Sequence, residues 1–108
     1  MNLQNGGTFS TSSDFATITH ANDRGVFVGE ANGGGYFGNN SALMYDIRLP
    51  HSEITYYIPI RYYTSVTNTD LIGRGVPADY ETVTSYQDHL DDKDISMIKA
   101  KQILSLKK

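Results

Sequence analysis

The chain has 108 residues, a formal net charge of -3, 39% hydrophobic, 19% charged and 11% aromatic residues. This is a globular composition for one core, not a disordered or fibrous one. The acidic balance argues against a nucleic-acid grip or general adhesion to an anionic surface, and no apolar run approaches the roughly 20 residues of a membrane span. With no Cys, a disulfide, a zinc ribbon and a Cys nucleophile are excluded.

The chain starts without the basic and apolar regions of a signal peptide. It opens on a turn-rich stretch, Asn5-Gly6-Gly7-Thr8-Phe9, with no strand expected before it. Ser10 to Ala21 reads as a helix with Phe15, Ile18 and Thr19 at helical spacing, Ser10 or Thr11 as cap, and Asp14 suited to the positive first turn. Its threonines make it intrinsically weak, so packing must hold it. Asn22-Asp23-Arg24-Gly25 ends it, and Val26-Phe27-Val28 is a short apolar run of the kind found in a strand buried on both faces.

Gly29 to Ser41 reads as a glycine-rich loop. Ala42 to Leu49 and Glu53 to Tyr63 read as two strands joined at Pro50-His51-Ser52, a hairpin with Leu43, Tyr45 and Ile47 on one face. Pro59 implies an edge or a bulge. After a polar loop, Glu81-Thr82-Val83 is short and extended, and Thr84 or Ser85 caps a turn of helix through Leu90. Asp91-Asp92-Lys93-Asp94 leads into a final helix with an apolar stripe of Ile95, Ile98, Gln102, Ile103 and Leu106, and with Lys99, Lys101, Lys107 and Lys108 toward its end, matching the dipole. The whole is a mixed α/β piece.

Gly33, Gly35 and Gly38 match the spacing of a dinucleotide-binding turn, but no helix follows to hold a pyrophosphate. A loop needing positive φ or close approach by another chain is the better reading. Asn39-Asn40-Ser41 is a chance-level glycosylation triplet. His20, His51 and His89 do not pair with other ligands at metal spacing, so neither a metal nor a cofactor is expected. Tyr56, Tyr57, Tyr62 and Tyr63 read as cross-strand packing rather than a sugar or base platform. The segment with chemical shape is Gly6 to Ser12. A serine in the first turn of a helix, after a glycine turn, sits where backbone N–H groups converge and the dipole favours developing negative charge. An acyl-transfer nucleophile belongs there, although plain N-capping uses the same residue type at the same place.

Several segments together resemble the C-terminal part of the catalytic domain of tail-specific (carboxyl-terminal processing) serine peptidases, in the bacterial branch lacking the catalytic lysine. They are Gly6-Gly7-Thr8-Phe9-Ser10-Thr11 with Asp14-Phe15-Ala16; Val28-Gly29-Glu30 with Gly33-Gly34-Gly35; Leu49-Pro50; Ile58-Pro59; Gly73-Arg74-Gly75-Val76 with Asp79; and Lys93-Asp94 before the last helix. Each is short; their order spans nearly the whole chain.

The resemblance implies the C-terminal portion of a ClpP/crotonase-like core and serine-type endoproteolysis on protein or peptide substrates. Ser10, five residues before Phe15, falls on the nucleophile, ahead of Ser12 and Ser13. The N–H of Thr11 falls on an oxyanion donor, and Gly33, Gly34 and Gly35 on the cleft wall. The lysine position of the dyad branch is Gly35, which cannot act as a base. In the related branch the acid position is Ile72, with Asp70 only nearby, and the His lies in sequence this chain does not contain. The expectation is therefore a fragment short of its general base, its feeder strand and its second oxyanion donor, with little activity by itself. Relatives of this kind are mostly exported. The rival expectation is a non-catalytic module packing against a missing half or another copy through the hairpin and the N-terminal face.

Overall fold

Residues 1–41 and 43–106 are described by the computed structural model; Ala42, Lys107 and Lys108, three of the residues assigned above to strand and helix ends, lie outside the described residues. The centre is a three-stranded parallel sheet in the order β1 (Asn2–Gln4), β2 (Phe27–Gly29), β7 (Tyr80–Glu81). The expectation that nothing extended precedes the first turn is corrected here. β1 pairs with β2 in register Asn2 to Phe27 and Gln4 to Gly29, and Asn2 N–H donates to Val26 O at 2.7 Å. Three residues with a single apolar side chain carry too little pattern to announce a strand; pairing against β2 makes it one.

Helix α1 (Ser10–Ala21) crosses from β1 to β2. Its buried side chains are Ser13, Ala16 and Thr17, while Phe15 and Ile18 stay exposed, so the helix is turned from the face the apolar spacing suggested. Small residues win the inner face because the glycine loop after β2 lies against it. A Cβ on Gly34 would overlap Ser13 Oγ. β2 itself is buried throughout, as its apolar run predicts. Phe27 faces a core of Ala16, Tyr36 and Val76, with Val66 and Leu71 against it. Val28 alternates to the opposite side, where α3 (Ile95–Ser105) packs. Gly29, at φ 129°, lets β1 and β2 close up, since a Cβ there would overlap Gln4 O.

Polar side chains tie the layers. Asp79 Oδ2 accepts from Phe27 N–H at 2.7 Å. Gln4 Nε2 donates to Glu30 O at 3.0 Å and Val76 O at 2.8 Å, and Asn32 Oδ1 accepts from Val76 N–H at 3.0 Å. α2 (Tyr86–Leu90) has Ser85 as cap, with a reciprocal capping box to Asp88. In α3, whose cap is Asp94, the buried residues are Ala100 and Ile103; Leu106 and Ile98 are exposed, so the inner face again differs from the stripe drawn above.

β3 (Gly38–Asn39) pairs antiparallel with β6 (Tyr63–Thr64) at the foot of a hairpin of β4 (Met44–Arg48) and β5 (Thr55–Pro59). Both hairpin strands are exposed along their whole length. Leu49 N–H to Ile54 O and Ile60 N–H to Leu43 O fix which residues face inward along the ladder, so the nitrogen of Pro59 faces an open edge and costs no ladder bond. Alternation gathers Leu43, Tyr45, Ile47, Leu49, Ile54, Tyr56, Ile58 and Ile60 on one side of the ribbon. No described helix is long and apolar enough to cross a membrane.

Candidate functional site

The junction of β1 and α1 brings the sequence-predicted serine forward. β1 ends at Gln4, Thr8 N–H closes a turn onto Asn5 O at 2.9 Å, and Phe9 stays extended at φ -124°, ψ 172°. Ser10 then takes φ 52°, a left-handed backbone that costs an L-residue roughly 1–2 kcal/mol. The other non-glycine residues with positive φ among those described, Asp23, Glu53 and Asp92, follow helices or sit in the hairpin turn. Among the described residues, Ser10 is the one non-glycine residue with this backbone that opens a helix.

The capping role expected of Ser10 or Thr11 is not performed. The cap residue is Phe9, and no side chain caps the helix. An apolar cap in an extended conformation leaves the serine hydroxyl with nothing structural to do. Ser10 is exposed, whereas Ser13 is buried under Gly34 and so is withheld from any bulky reactant. Ser12 and Ser13 N–H both reach Phe9 O, at 3.2 and 3.4 Å. Among the described residues no acceptor takes the N–H of Thr11, which therefore stands open at the positive end of α1.

Asp14, expected to serve the first turn electrostatically, instead reaches sideways. Its carboxylate accepts from Tyr63 Oη at 2.7 Å and lies 3.5 Å from Ser65 Oγ, while Asn39 Nδ2 donates to the same Tyr63 hydroxyl at 2.6 Å. The Asp14 acceptor, helped by partial burial, pushes the Tyr63 phenol up. One tyrosine thereby pins the foot of the hairpin to α1, a role its place in the tyrosine run did not disclose.

Gly33, Gly34 and Gly35 come together beside this junction. A Cβ on Gly33 would overlap Gly6 O and the Phe9 ring, and one on Gly35 would meet Gly38 O. The loop is glycine because backbone lies on backbone there. A cavity of about 450 Å³ opens on the other side of α1, lined by Asn2, Leu3, Gln4, Thr8, Thr11, Ser12, Phe15 and Ala16.

None of the three histidines is drawn to Ser10. His20 Nδ1 pairs with Tyr36 Oη at 3.0 Å, and its ring packs on Phe27 and Tyr36 at 5.5 and 5.4 Å between centroids. Ten residues of helix separate it from Ser10, about 15 Å. Burial, and then the charge of Asp23, raise the Tyr36 phenol, which stays a neutral partner for that imidazole at ordinary pH. His51 is exposed at the tip of the hairpin and His89 in α2. Ile72 and Asp70 are also exposed. Compared with models of known protein families and with curated protein sequences, the chain matches none.

Proposed function

We propose that this chain carries the nucleophile-bearing part of a serine acyl-transfer site, and that the reaction is peptide-bond hydrolysis on a ClpP/crotonase-like scaffold. The observation that carries the reading is the strained backbone of Ser10 at a strand-to-helix junction where its hydroxyl does no capping. A sharp, strained turn of this kind is how hydrolases present a serine above a sheet. Strain of this size persists only where the surroundings over-determine it, and such strain clusters at reactive sites.

In this reading Ser10 Oγ attacks the acyl carbon, and the open N–H of Thr11 receives the charge that develops on the carbonyl oxygen. Gly33, Gly34 and Gly35 form the wall opposite, their lack of side chains letting that loop close against Gly6, Phe9 and Ser13. The protein partner is thus a peptide substrate, and no cofactor enters. Neither Gly35, which stands at the lysine position of the dyad branch, nor His20, which is committed to Tyr36, supplies the general base. General-base help is worth about 10²–10⁴-fold. The chain by itself should therefore acylate slowly and turn over little.

A fluorophosphonate probe tests this directly. Slow labelling that maps to Ser10, disappears in Ser10→Ala and is lost on unfolding in urea supports the reading. Labelling spread over Ser12, Ser52 and Ser85, or equal in the folded and unfolded chain, overturns it. Rapid turnover of an unfolded protein, abolished by Ser10→Ala, would keep the nucleophile and overturn the missing base.

The hairpin favours a second reading, an interaction module. Its apolar side holds eight large side chains, each 36–61% exposed, together offering roughly 800 Å². That is about what one partner contributes to a stable interface. A two-stranded ribbon is marginal by itself in water. Two copies stacked face to face through this side would bury both ribbons, and a second copy is the occupant this reading commits to. Light scattering of the purified chain decides it. A dimer lost in Tyr56→Asp supports the module, and a stable monomer at micromolar concentration ends it.

A further inference from the structure

We propose that Asn5-Gly6 is a built site of main-chain rearrangement, converting through a cyclic imide to isoaspartate in the turn that sets up Ser10. The chain has two Asn-Gly steps among its described residues, Asn5-Gly6 and Asn32-Gly33, and the fold treats them oppositely. Asn32 is 5% exposed, its Oδ1 held by Val76 N–H at 3.0 Å and its own N–H given to Val76 O at 3.1 Å. That carboxamide is buried and tied to a distant segment, so reorienting it toward the next nitrogen would break the bond to Val76. Asn5 and Gly6 are both exposed.

The groups around Asn5 have the roles the reaction needs. Asn5 Oδ1 accepts from Gly7 N–H at 2.9 Å, which holds the carboxamide over the following backbone and polarises its carbonyl. Gly6 N–H, the nucleophile's proton, points at Glu30 Oε2 at 3.4 Å. Gly6 has no side chain to shield its nitrogen. As the bond from Gly6 N to Asn5 Cγ forms, the proton on that nitrogen passes to Glu30 and the charge on Oδ1 is met by Gly7 N–H. The bond from Cγ to Nδ2 then breaks, and the amine takes the proton from Glu30 and leaves as ammonia. Water opens the resulting imide at either carbonyl, giving aspartate or isoaspartate. The second product adds a methylene to the main chain, and both place a carboxylate at the foot of α1. The chemistry needs only this turn, so it stands or falls apart from the peptidase reading.

The whole chain, incubated in neutral buffer and followed by peptide mapping with an isoaspartate-specific readout, tests it with Asn32 as an internal control. Asn5 should convert at least about tenfold faster than Asn32 in the folded chain, and the two should converge in urea. Glu30→Gln should slow Asn5 by about tenfold, short of the 10²–10⁴ of an aligned enzymic base, because the side chain is exposed and the contact long. Gly6→Ala, whose added methyl would lie 3.9 Å from Glu30 Oε2 and so fits, should slow it further without unfolding the chain. Equal rates at Asn5 and Asn32 in the folded chain overturn the inference. So does an unchanged rate in Glu30→Gln, or a rate ratio that persists in urea, which would make local sequence the cause and not the fold.

Discussion

Replacing Ser10 by glycine separates strain from chemistry. At φ 52° a serine carries roughly 1–2 kcal/mol that glycine does not. Glycine gives back about 0.4–1 kcal/mol through the extra freedom of the unfolded chain. No hydrogen bond is lost from the cap, because the Ser10 side chain makes none there. The expected balance is a gain of about 0.5–1 kcal/mol for Ser10→Gly, a rise in Tm of about 3–6 °C for a domain near this size. Ser10→Ala keeps the Cβ and hence the strain, and should stay within about 0.5 kcal/mol of the parent. Urea melts followed by circular dichroism measure both, with an unchanged slope as the check that the unfolded state is the same. Both variants should lose probe labelling. A glycine variant no more stable than the alanine variant would show that the left-handed backbone is not a stored cost, and the argument from strain to reactivity would go with it.

Three further outcomes follow from the packing. Gly34→Ala should cost about 1–3 kcal/mol, since its methyl collides with Ser13 Oγ in a buried helix face; a melt unchanged from the parent would mean the loop does not seat there. Tyr63→Phe should lower stability by leaving Asp14 and Asn39 without their shared hydroxyl. The phenol's folded pKa lies above its unfolded value, so that contribution is whole below the ordinary tyrosine range and disappears as pH climbs through the raised folded value. Parent and Phe variant should therefore converge in alkaline melts. At the other end of the scale, hydrogen bonds from Ser85 hold Asp88 below the usual carboxylate range, so the carboxylate's half of the capping box stabilises above that range and is lost as pH falls through the lowered folded value. Ser85→Ala should cost about 1 kcal/mol near neutrality and less in strong acid, where the bond from Asp88 N–H to Ser85 Oγ is still at stake but the carboxylate's is not, measured by the same melts.

Much of this protein was determined by local sequence, for reasons that act within a few residues. The apolar run at Phe27 and Val28, the helix over Ser10 to Ala21, the Ser85 cap with Asp88 three residues on, and the alternation that makes the hairpin all depend on short-range sterics and periodicity. Only the tertiary structure decided what long-range pairing decides. β1 is a strand because β2 lies beside it, not because Asn2, Leu3 and Gln4 favour one. α1 buries Ser13 and Thr17 and leaves Phe15 outside because a glycine loop, 20 residues further on, comes too close for anything larger. Asp14 gave its charge to a tyrosine 49 residues away and not to its own helix. Periodicity says which residues of a helix share a face, but which face turns inward depends on the shape of what packs against it, and that surface is assembled from distant segments.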